Sequence, residues 1–346
     1  MLRVIQGIYR NRSFTVRDAG CTSSPHQQLF GICQGCPLSP FLFVMVMSVL
    51  MHDAKQQLQA HPRYYRQAGD EIEELLYADD TLLIHSNPEI VKLYMECVRI
   101  AGMNYGLSFN WKKLENMPIR CDAEFFSPNG DPIQRKRSFK YLGSMLCHDG
   151  KVGTELSCRL GAAKSEFEAL RRVWSHAAIS KSKRLRIYEA CIVSKLTYCF
   201  YSVWLRAAEL NKLDAFHHKC LRRIAGVQPS FYSRISNQTV RDMLRAKPLR
   251  QTILKQQLLY FGEIASRQTG SVTRDTIFLP NSVCLKPLNA KRRRGRPRAS
   301  WAKELHTTAL KIAGGEPALQ RMWTGTPAAK SSWRAAVIKF CYDLAE

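Results

Sequence analysis

Two adjacent carboxylates, Asp79 and Asp80, are the residues of this 346-residue chain whose types and spacing most clearly suggest chemistry. They follow the β-prone run Glu74–Tyr77 and precede a second one ending at His85, a pattern typical of a hairpin with both acids at its tip. Adjacent carboxylates repel each other and form strands poorly, so the pair calls for a partner. Mg²⁺ is such a partner, because it takes oxygen ligands from one or two carboxylates together with phosphate and water. A plain Asp-Asp turn is the alternative for this pair taken alone.

Three further motifs accompany the acidic pair. Gly31–Phe43 places Gln34 and Gly35 in a turn rich in glycine and proline, whose backbone can approach a nucleotide closely and which leads into a helix. Downstream lie Gly106–Lys113 and then Phe139–Gly143. Four motifs in this order and at this spacing are much more specific than any one of them.

In these motifs the chain resembles the carboxy-terminal part of reverse transcriptases of LINE-type non-LTR retrotransposons. The resemblance implies RNA-directed DNA polymerase activity by two-metal nucleotidyl transfer. It implies Mg²⁺ (or Mn²⁺) as cofactor, and an RNA template, a DNA primer and dNTPs as partners. The implied catalytic residues are Asp79 and Asp80, which bind the metals, and Lys113, which acts on the pyrophosphate. The implied nucleotide- and template-binding residues are Gln34, Gly35, Tyr77 and Asn110. The implied primer grip consists of Phe139, Tyr141, Leu142 and Gly143.

The chain also departs from the family's pattern. The family holds its metals with a third carboxylate, on a strand several tens of residues before the Gln-Gly motif. The sole acidic residue before Gly31 is Asp18, which lies in a loop-like segment and is not assigned that role. The fingers of the polymerase would lie before Met1, and Cys33 stands where the family often has a basic residue. We therefore expect the chain alone to bind nucleic acid with negligible polymerase activity.

Two other functions fit the same residues. One is a non-catalytic RNA- or DNA-binding protein, a relic or a co-opted element. The other is an RNA-dependent RNA polymerase, since palm folds are shared. The second fits less well, because Ala78 rather than glycine precedes the acidic pair.

The charge of the chain favours a nucleic-acid partner. Fifty-two Lys and Arg against 28 Asp and Glu give a net charge of +24, and a basic surface gains affinity for phosphates by counterion release. A generally basic, solubilising surface is the alternative. No apolar run reaches the roughly 20 residues of a membrane span, and no secretory signal is visible. We therefore expect an intracellular protein, nuclear or cytoplasmic, without a membrane partner, and make no prediction of its oligomeric state.

The twelve cysteines favour reduced thiols over a disulfide framework, because their spacing is irregular. Cys33 with Cys36, and His217 and His218 with Cys220, have the residue types of metal ligands. Neither group has the second half of a zinc site, so incidental or buried residues are the favoured interpretation. Tryptophans at helical spacing favour core positions over base stacking; these are Trp174, Trp204, Trp301, Trp323 and Trp333.

The predicted fold class is α+β: a partial reverse-transcriptase palm of antiparallel strands with packed helices, followed by an α-helical thumb-like region. The predicted domains are the palm at 1–146, an α-helical thumb or connector at 147–270, and a basic linker with a helical tail at 271–346. Helical periodicity predicts helices at Met1–Tyr9, Ser39 to about Ala60, Asn87 to Gly106, Val152–Ser175, Lys181–Arg206, Ala208–Ile224, Ser300–Ile312 and Ala328–Leu344. Besides the acidic hairpin, short strands are expected at Ser13–Arg17, Gln28–Ile32 and Phe139–Leu142.

The run Lys291–Arg298 contains six basic residues in eight and cannot form a helix, because Gly295 and Pro297 interrupt it. Three interpretations stay open: a hook in the minor groove of A·T-rich DNA, a nuclear-import patch, and a solubilising linker. The candidate nucleic-acid-binding residues of this tail are Arg292, Arg293, Arg294, Arg296 and Arg298.

Overall fold

A computed structural model of the chain describes residues 2–29, 31–33, 35–65, 73–287 and 300–343. The chain divides into two units. The first comprises Met1–Leu114 and Phe125–Ile133, and the second comprises Glu115–Glu124 and Gln134–Glu346. The division into three domains predicted from the sequence stays a prediction.

The first unit is built on two packed helices. Its helices are α1 (Leu2–Tyr9), α2 (Ser39–Ala60) and α3 (Pro88–Asn104), followed by a 3-10 turn, Trp111–Lys113. Its antiparallel strand pairs are β1 (Ser13–Phe14) with β4 (His26–Gln27), β2 (Arg17–Asp18) with β3 (Cys21–Thr22), and β5 (Glu74–Tyr77) with β6 (Asp80–Leu83). The core lies between α2 and α3 and consists of Leu50, Met51, Ala54, Leu58, Ile90, Tyr94, Cys97, Val98 and Ala101.

The second unit begins with short strands and continues as helices. Its strands are β7 (Glu115–Asn116) parallel to β8 (Gln134–Arg135), and β9 (Ser138–Tyr141) antiparallel to β10 (Ser144–Cys147). Its helices are α4 (Gly153–Ala169), α5 (Arg171–Ser175), α6 (Lys181–Tyr188), α7 (Ser194–Thr197), α8 (Ala207–Ala225), α9 (Ser230–Ser233), α10 (Asn237–Leu244), α11 (Leu249–Ala265), α12 (Val272–Asp275), α13 (Trp301–Ala313), α14 (Glu316–Met322) and α15 (Pro327–Asp343). A π-helical turn, Glu189–Val193, joins α6 to α7.

Two apolar clusters stabilise this second unit. The first extends from α4 to the start of α11, with Trp174 and Tyr188 at its centre. The second gathers the end of α11 with α13 to α15 around Trp323 and Trp333. Of the tryptophans predicted to lie in the core, Trp174, Trp323 and Trp333 are at most 4% exposed. The expectation that tryptophans lie in the core is confirmed for them, while Trp204 and Trp301 are partly buried against the second cluster.

Most of the predicted helices are present, and the residues at their amino ends help to explain where they begin. The side chain of Asn87 caps α3 by accepting a hydrogen bond from the backbone N–H of Glu89 at 2.9 Å. The helix predicted to begin at Ser39 does begin there, and Leu38 stands at its N-cap. The prediction of a strand at Gln28–Ile32 is wrong for the described residues of that range, none of which lies in a strand. The strand that pairs with β1 is His26–Gln27.

The two longest predicted helices are each interrupted. The helix expected over Val152–Ser175 breaks at Leu170, and the one expected over Lys181–Arg206 ends at Thr197. Within the described parts of the chain, we find no helix long and apolar enough to span a bilayer. The mixture of helices and mostly antiparallel short strands agrees with the predicted α+β class.

Candidate active site

The acidic pair lies at the tip of the β5–β6 hairpin. Tyr77 pairs directly with Asp80, so the two-residue turn is Ala78-Asp79 and the second strand begins one residue earlier than the sequence predicted. Ala78 has a φ of 53°, in the left-handed region that residues other than glycine seldom adopt. Both carboxylates are exposed, as is Tyr77. The hairpin therefore presents two neighbouring carboxylates to solvent on a tightly defined turn.

Contacts with α2 and α3 hold the base of this hairpin. Leu83 packs against the α2–α3 core. Lys55 on α2 forms an ion pair with Glu74, with Nζ 2.8 Å from Oε1. Tyr64 donates a hydrogen bond from its hydroxyl to Glu73 Oε1 at 2.6 Å. A fixed base and an exposed tip position the two aspartates without covering them.

The donor set at the tip suits a hard cation but is small. Two carboxylates supply oxygen ligands only, which matches the preference of Mg²⁺ and, among transition metals, Mn²⁺. Within the described ranges, no three His, Cys, Asp or Glu side chains lie together as a metal-holding group. Asp79 and Asp80 therefore fit as two of the ligands of a metal site.

The Gln-Gly turn precedes α2. Gln34 lies outside the described residues, whereas Gly35 is exposed with a φ of 87°. Hydrogen bonds from the backbone of Leu38 and from Ser39 at the start of α2 lower the pKa of the Cys36 thiol. This end of α2 therefore favours negative charge, as the amino end of a helix does.

Arg12 lies beside this turn, and no sequence motif points to it. Its Nη2 donates to Cys33 Sγ, and its guanidinium carbon lies 4.5 Å from the centroid of the Tyr9 ring. Cys33 stands where the family often has a basic residue. The fold instead supplies a cation at that place from 21 residues away. No local pattern identifies Arg12, because its contact joins residues on either side of the β1–β4 strand pair.

Asn110 and Lys113 bracket the 3-10 turn that follows α3. The backbone N–H of Lys113 donates to the carbonyl of Asn110 at 2.9 Å, and both side chains are exposed. Phe109 packs against the α2–α3 core and holds Trp111 edge-to-face, with centroids 5.4 Å apart. The structure places both residues in the same unit as the acidic hairpin, and among the described residues Lys113 forms no ion pair with Asp79 or Asp80.

The predicted primer grip is the β9–β10 hairpin of the second unit. Phe139 pairs with Leu146, and Tyr141 pairs with Ser144. Leu142 and Gly143 form the turn, with φ values of 46° and 80°. Two positive values are typical of the tight turn that matches the twist of a hairpin, and glycine is favoured at such positions. Leu142 is therefore a turn residue, whereas the sequence placed it at the end of a strand.

Three residues of the following helices hold this turn, and we call Glu155, Arg159 and Tyr198 the grip clamp. The Tyr198 hydroxyl donates to the carbonyl of Leu142 at 3.0 Å. Arg159 donates to the carbonyl of Gly143, and its guanidinium carbon lies 4.5 Å from the centroid of the Tyr198 ring. Both carbonyls of the turn are thus occupied by side chains from α4 and from the end of α7.

Glu155 is the buried centre of the grip clamp. Its residue is 4% exposed, and its carboxylate accepts hydrogen bonds from Arg159 Nε and, at 2.6 Å, from the backbone N–H of Met145 on β10. Glu155 and Arg159 are four residues apart on α4, a spacing visible in the sequence as a helical ion pair. No sequence pattern predicts that both side chains form hydrogen bonds with the β9–β10 hairpin.

Other residues singled out from the sequence either lie outside the described residues or are buried in a core. The arginines of the tail, Lys291–Arg298, lie outside the described residues. His217 and Cys220 are buried in the first cluster of the second unit, where the Tyr188 hydroxyl lies 2.9 Å from His217 Nδ1. Burial lowers the pKa of His217 to about 4 and raises the pKa of Cys220 to about 12. These side chains form part of a core.

A family model described as reverse transcriptase (RNA-dependent DNA polymerase) matches residues 3–146. That range contains the acidic hairpin, the Gln-Gly turn, the Asn110–Lys113 turn and the primer-grip hairpin. Residues 3–146 are therefore similar to the reverse-transcriptase family. The match agrees with the motifs on which the resemblance was recognised.

A curated relative extends the likeness beyond this domain. The chain is 27% identical over 209 residues to the retrovirus-related Pol polyprotein from type-1 retrotransposable element R2 of Popillia japonica. The alignment covers 56% of this chain and 27% of that protein, so the chain spans about a quarter of the length of this relative. The resemblance to non-LTR retrotransposon reverse transcriptases, predicted from the sequence, is confirmed.

Proposed function

We propose that the chain is the palm and thumb part of a LINE-type, RNA-directed DNA polymerase that adds dNTPs to a DNA primer on an RNA template. The observation that carries the proposal is the Asp79-Asp80 pair on an exposed, anchored hairpin within a reverse-transcriptase domain. In this proposal the two carboxylates hold Mg²⁺ (or Mn²⁺). Bound in pairs, such cations activate the attacking 3′-hydroxyl and stabilise the leaving pyrophosphate.

The other residues of the site orient the substrates. Gln34 and Gly35 bind the template and the incoming nucleotide in this proposal, and Tyr77 and Asn110 contact the nucleotide. The exposed ammonium of Lys113 neutralises or protonates the pyrophosphate as it leaves. Phe139, Tyr141, Leu142 and Gly143 hold the primer end, and the grip clamp fixes the turn that presents it.

The exposed apolar surface of the first unit supports the expectation that the chain is inactive alone. On α2, Phe41 and Met45 are 67% and 62% exposed, and Val44 and Val49 are also exposed. Leu76 on the acidic hairpin is exposed as well. Apolar surface of this extent usually packs against another segment or protein. We propose that the covering segment supplies the third metal carboxylate and the fingers.

Primer extension on two proteins tests this function. The first protein is the 346-residue chain, and the second is the product of the transcript read upstream of Met1. With an RNA template, a DNA primer, dNTPs and Mg²⁺, we expect no extension by the first and extension by the second. Asp79→Asn or Asp80→Asn should abolish extension, whereas Asp131→Asn, which changes an exposed carboxylate of the same unit, should not.

A second measurement reports metal binding without requiring activity. Mn²⁺ added to the 346-residue chain should broaden the NMR signals of the hairpin amides around Ala78, and Asp79→Asn should remove this effect. Extension that survives Asp79→Asn would contradict the proposed role of the pair. Nucleic-acid binding without extension by either protein would favour the alternative, a non-catalytic relic or co-opted binding protein.

A further inference from the structure

Two aromatic rings project from the loop between α8 and α10. Phe231 and Tyr232 lie on the short helix α9, and each residue is 72% exposed. Their ring centroids are 5.3 Å apart, and the ring planes are inclined by 86°. Single exposed apolar residues are common on proteins, but two large adjacent rings are a contiguous patch that burial would normally stabilise. We call Phe231, Tyr232 and the neighbouring Arg234 the aromatic tip.

The loop that carries the aromatic tip is fixed at both ends. Arg222, which is buried in α8, donates to the carbonyl of Gln228 at 3.0 Å and to the carbonyl of Ile235 at 2.7 Å. Ser233 donates from its hydroxyl to the carbonyl of Gln228 at 3.1 Å. The backbone that carries the two rings is therefore fixed before a partner binds. A preformed site loses less conformational entropy on binding than a flexible one.

Positive charge accompanies the rings. The guanidinium carbon of Arg234 lies 5.6 Å from the centroid of the Phe231 ring. Four basic residues stand against one acid, Asp242, between residues 230 and 247, a net charge of +3. The basic residues are Arg234, Arg241, Arg245 and Lys247. Flat apolar faces combined with cations match a ligand that carries both π-systems and phosphates.

We propose that the aromatic tip binds the unpaired bases of single-stranded nucleic acid. Phe231 and Tyr232 each stack on one base, and Arg234 contacts a neighbouring phosphate. The nearly perpendicular rings require two bases turned relative to each other, which an unpaired strand allows and a stacked duplex does not. The inference rests on the proposed function only in taking nucleic acid as the partner, and it involves no step of polymerisation.

Equilibrium binding of unstructured single-stranded RNA, single-stranded DNA and a blunt duplex to the 346-residue chain tests this site. Replacing both rings, Phe231→Ala with Tyr232→Ala, should weaken single-strand binding at least about 10-fold and leave duplex binding within about twofold. Phe231→Leu keeps apolar volume without an aromatic face and should also weaken single-strand binding. Phe231→Trp should retain it. Comparing RNA with DNA shows which strand the site prefers.

A matched control is Tyr342→Ala, which removes an aromatic residue of α15 that is 67% exposed. This variant should bind single strands like the unaltered chain, and circular dichroism should show all variants folded. Equal single-strand affinity of the double variant and the unaltered chain overturns the proposal and leaves the rings for a protein partner. Full affinity of Phe231→Leu overturns stacking as the mode of binding. Because the assay contains no extension step, its result does not depend on whether the polymerase proposal succeeds.

Discussion

Ala78 holds the acidic turn in a backbone conformation that alanine adopts at a cost. A two-residue hairpin turn needs a positive φ at its first position, and here that position carries a Cβ atom. The left-handed conformation costs an L-residue about 1–2 kcal/mol, and Asn tolerates it better than most others. The register of the strands therefore holds the two aspartates in place, although the backbone of Ala78 is slightly strained.

We expect Ala78→Val to destabilise the β5–β6 hairpin by about 1–2 kcal/mol, because a β-branched residue fits this region worse than alanine does. Ala78→Asn should leave the hairpin unchanged or slightly more stable. Hydrogen exchange of the hairpin amides measures both effects. Equal protection in the two variants would show that the turn does not constrain the backbone as described.

His217 makes the stability of the second unit depend on pH. Its folded pKa, about 4, is below the ordinary value because burial disfavours the charged ring, and the nearby His218 and Arg241 add to this effect. Asp214 opposes the shift. The unfolded chain therefore binds more protons than the folded protein between about pH 6.5 and pH 4. Stability is full above this range and falls as the pH is lowered through it.

The expected loss attributable to His217 is on the order of 3 kcal/mol across that range. Urea unfolding of the chain at several pH values measures it, with His217→Gln expected to flatten the slope of stability against pH. His176→Gln, which changes an exposed histidine of the same unit, should leave the slope as it is. An unchanged slope in His217→Gln would mean that another group titrates here.

Local sequence patterns predicted those elements that depend on their own residues. The α2 and α3 helices and the acidic hairpin follow from apolar spacing and from Asn-Pro and Ser-Pro starts. The end of α7 does not follow from a local pattern. Cys199 leaves the helical conformation with a φ of 65°, and the hydroxyl of the preceding Tyr198 donates a hydrogen bond to the carbonyl of Leu142. That contact joins residues 56 positions apart, and no local pattern encodes it. Arg12 and Glu155 were missed for the same reason.

The grip clamp predicts that the β9–β10 hairpin loses order when Glu155 is neutralised. Glu155→Gln leaves Arg159, which is itself largely buried, without a charged partner, and we expect a loss of about 3 kcal/mol or more. Hydrogen exchange at the Met145 amide and urea unfolding measure it. Glu166→Gln removes a more exposed ion pair, with Lys195, and should cost less than about 0.5 kcal/mol. Similar losses in the two variants would contradict the clamp.

Helix α11 depends on a glycine where α15 crosses it. A Cβ atom on Gly262 would lie 2.1 Å from Trp333 Nε1, inside a core cluster. Gly262→Ala should therefore destabilise the packing of α11 on α15 by about 3 kcal/mol or more, seen as a lower unfolding midpoint with altered tryptophan fluorescence. Gly161→Ala is the matched control, since nothing lies within 4 Å of its added Cβ atom on α4. This variant should gain about 0.5–1 kcal/mol.

The net charge of the whole chain indicates the kind of partner it binds rather than its fold. A net charge of +24 is a property of composition, so the sequence was sufficient to predict a polyanionic partner. The sequence was not sufficient to show which cations are already paired. Arg99, Arg135, Arg206 and Arg250, for example, each form an ion pair with a carboxylate of the chain. Cations paired in this way contribute less to phosphate binding than the net charge suggests.

Salt dependence separates the phosphate contacts from the rest of the binding energy. For a duplex, the logarithm of the affinity should fall linearly with the logarithm of the salt concentration, with a slope of about −0.9 per phosphate contacted. Replacing the five arginines of the tail, Arg292, Arg293, Arg294, Arg296 and Arg298, by glutamine should reduce the magnitude of this slope by up to about 4–5 if they contact phosphate.

A comparison of A·T-rich and G·C-rich duplexes then decides among the interpretations of the tail. A preference for A·T-rich duplexes that disappears in the glutamine variant supports a minor-groove hook, because a narrow groove attracts arginine. A smaller slope without such a preference means that the tail binds the backbone without reading the groove. An unchanged slope excludes the tail from duplex binding and leaves nuclear import or solubility as its role, while the phosphate contacts then belong to the cations of the folded units.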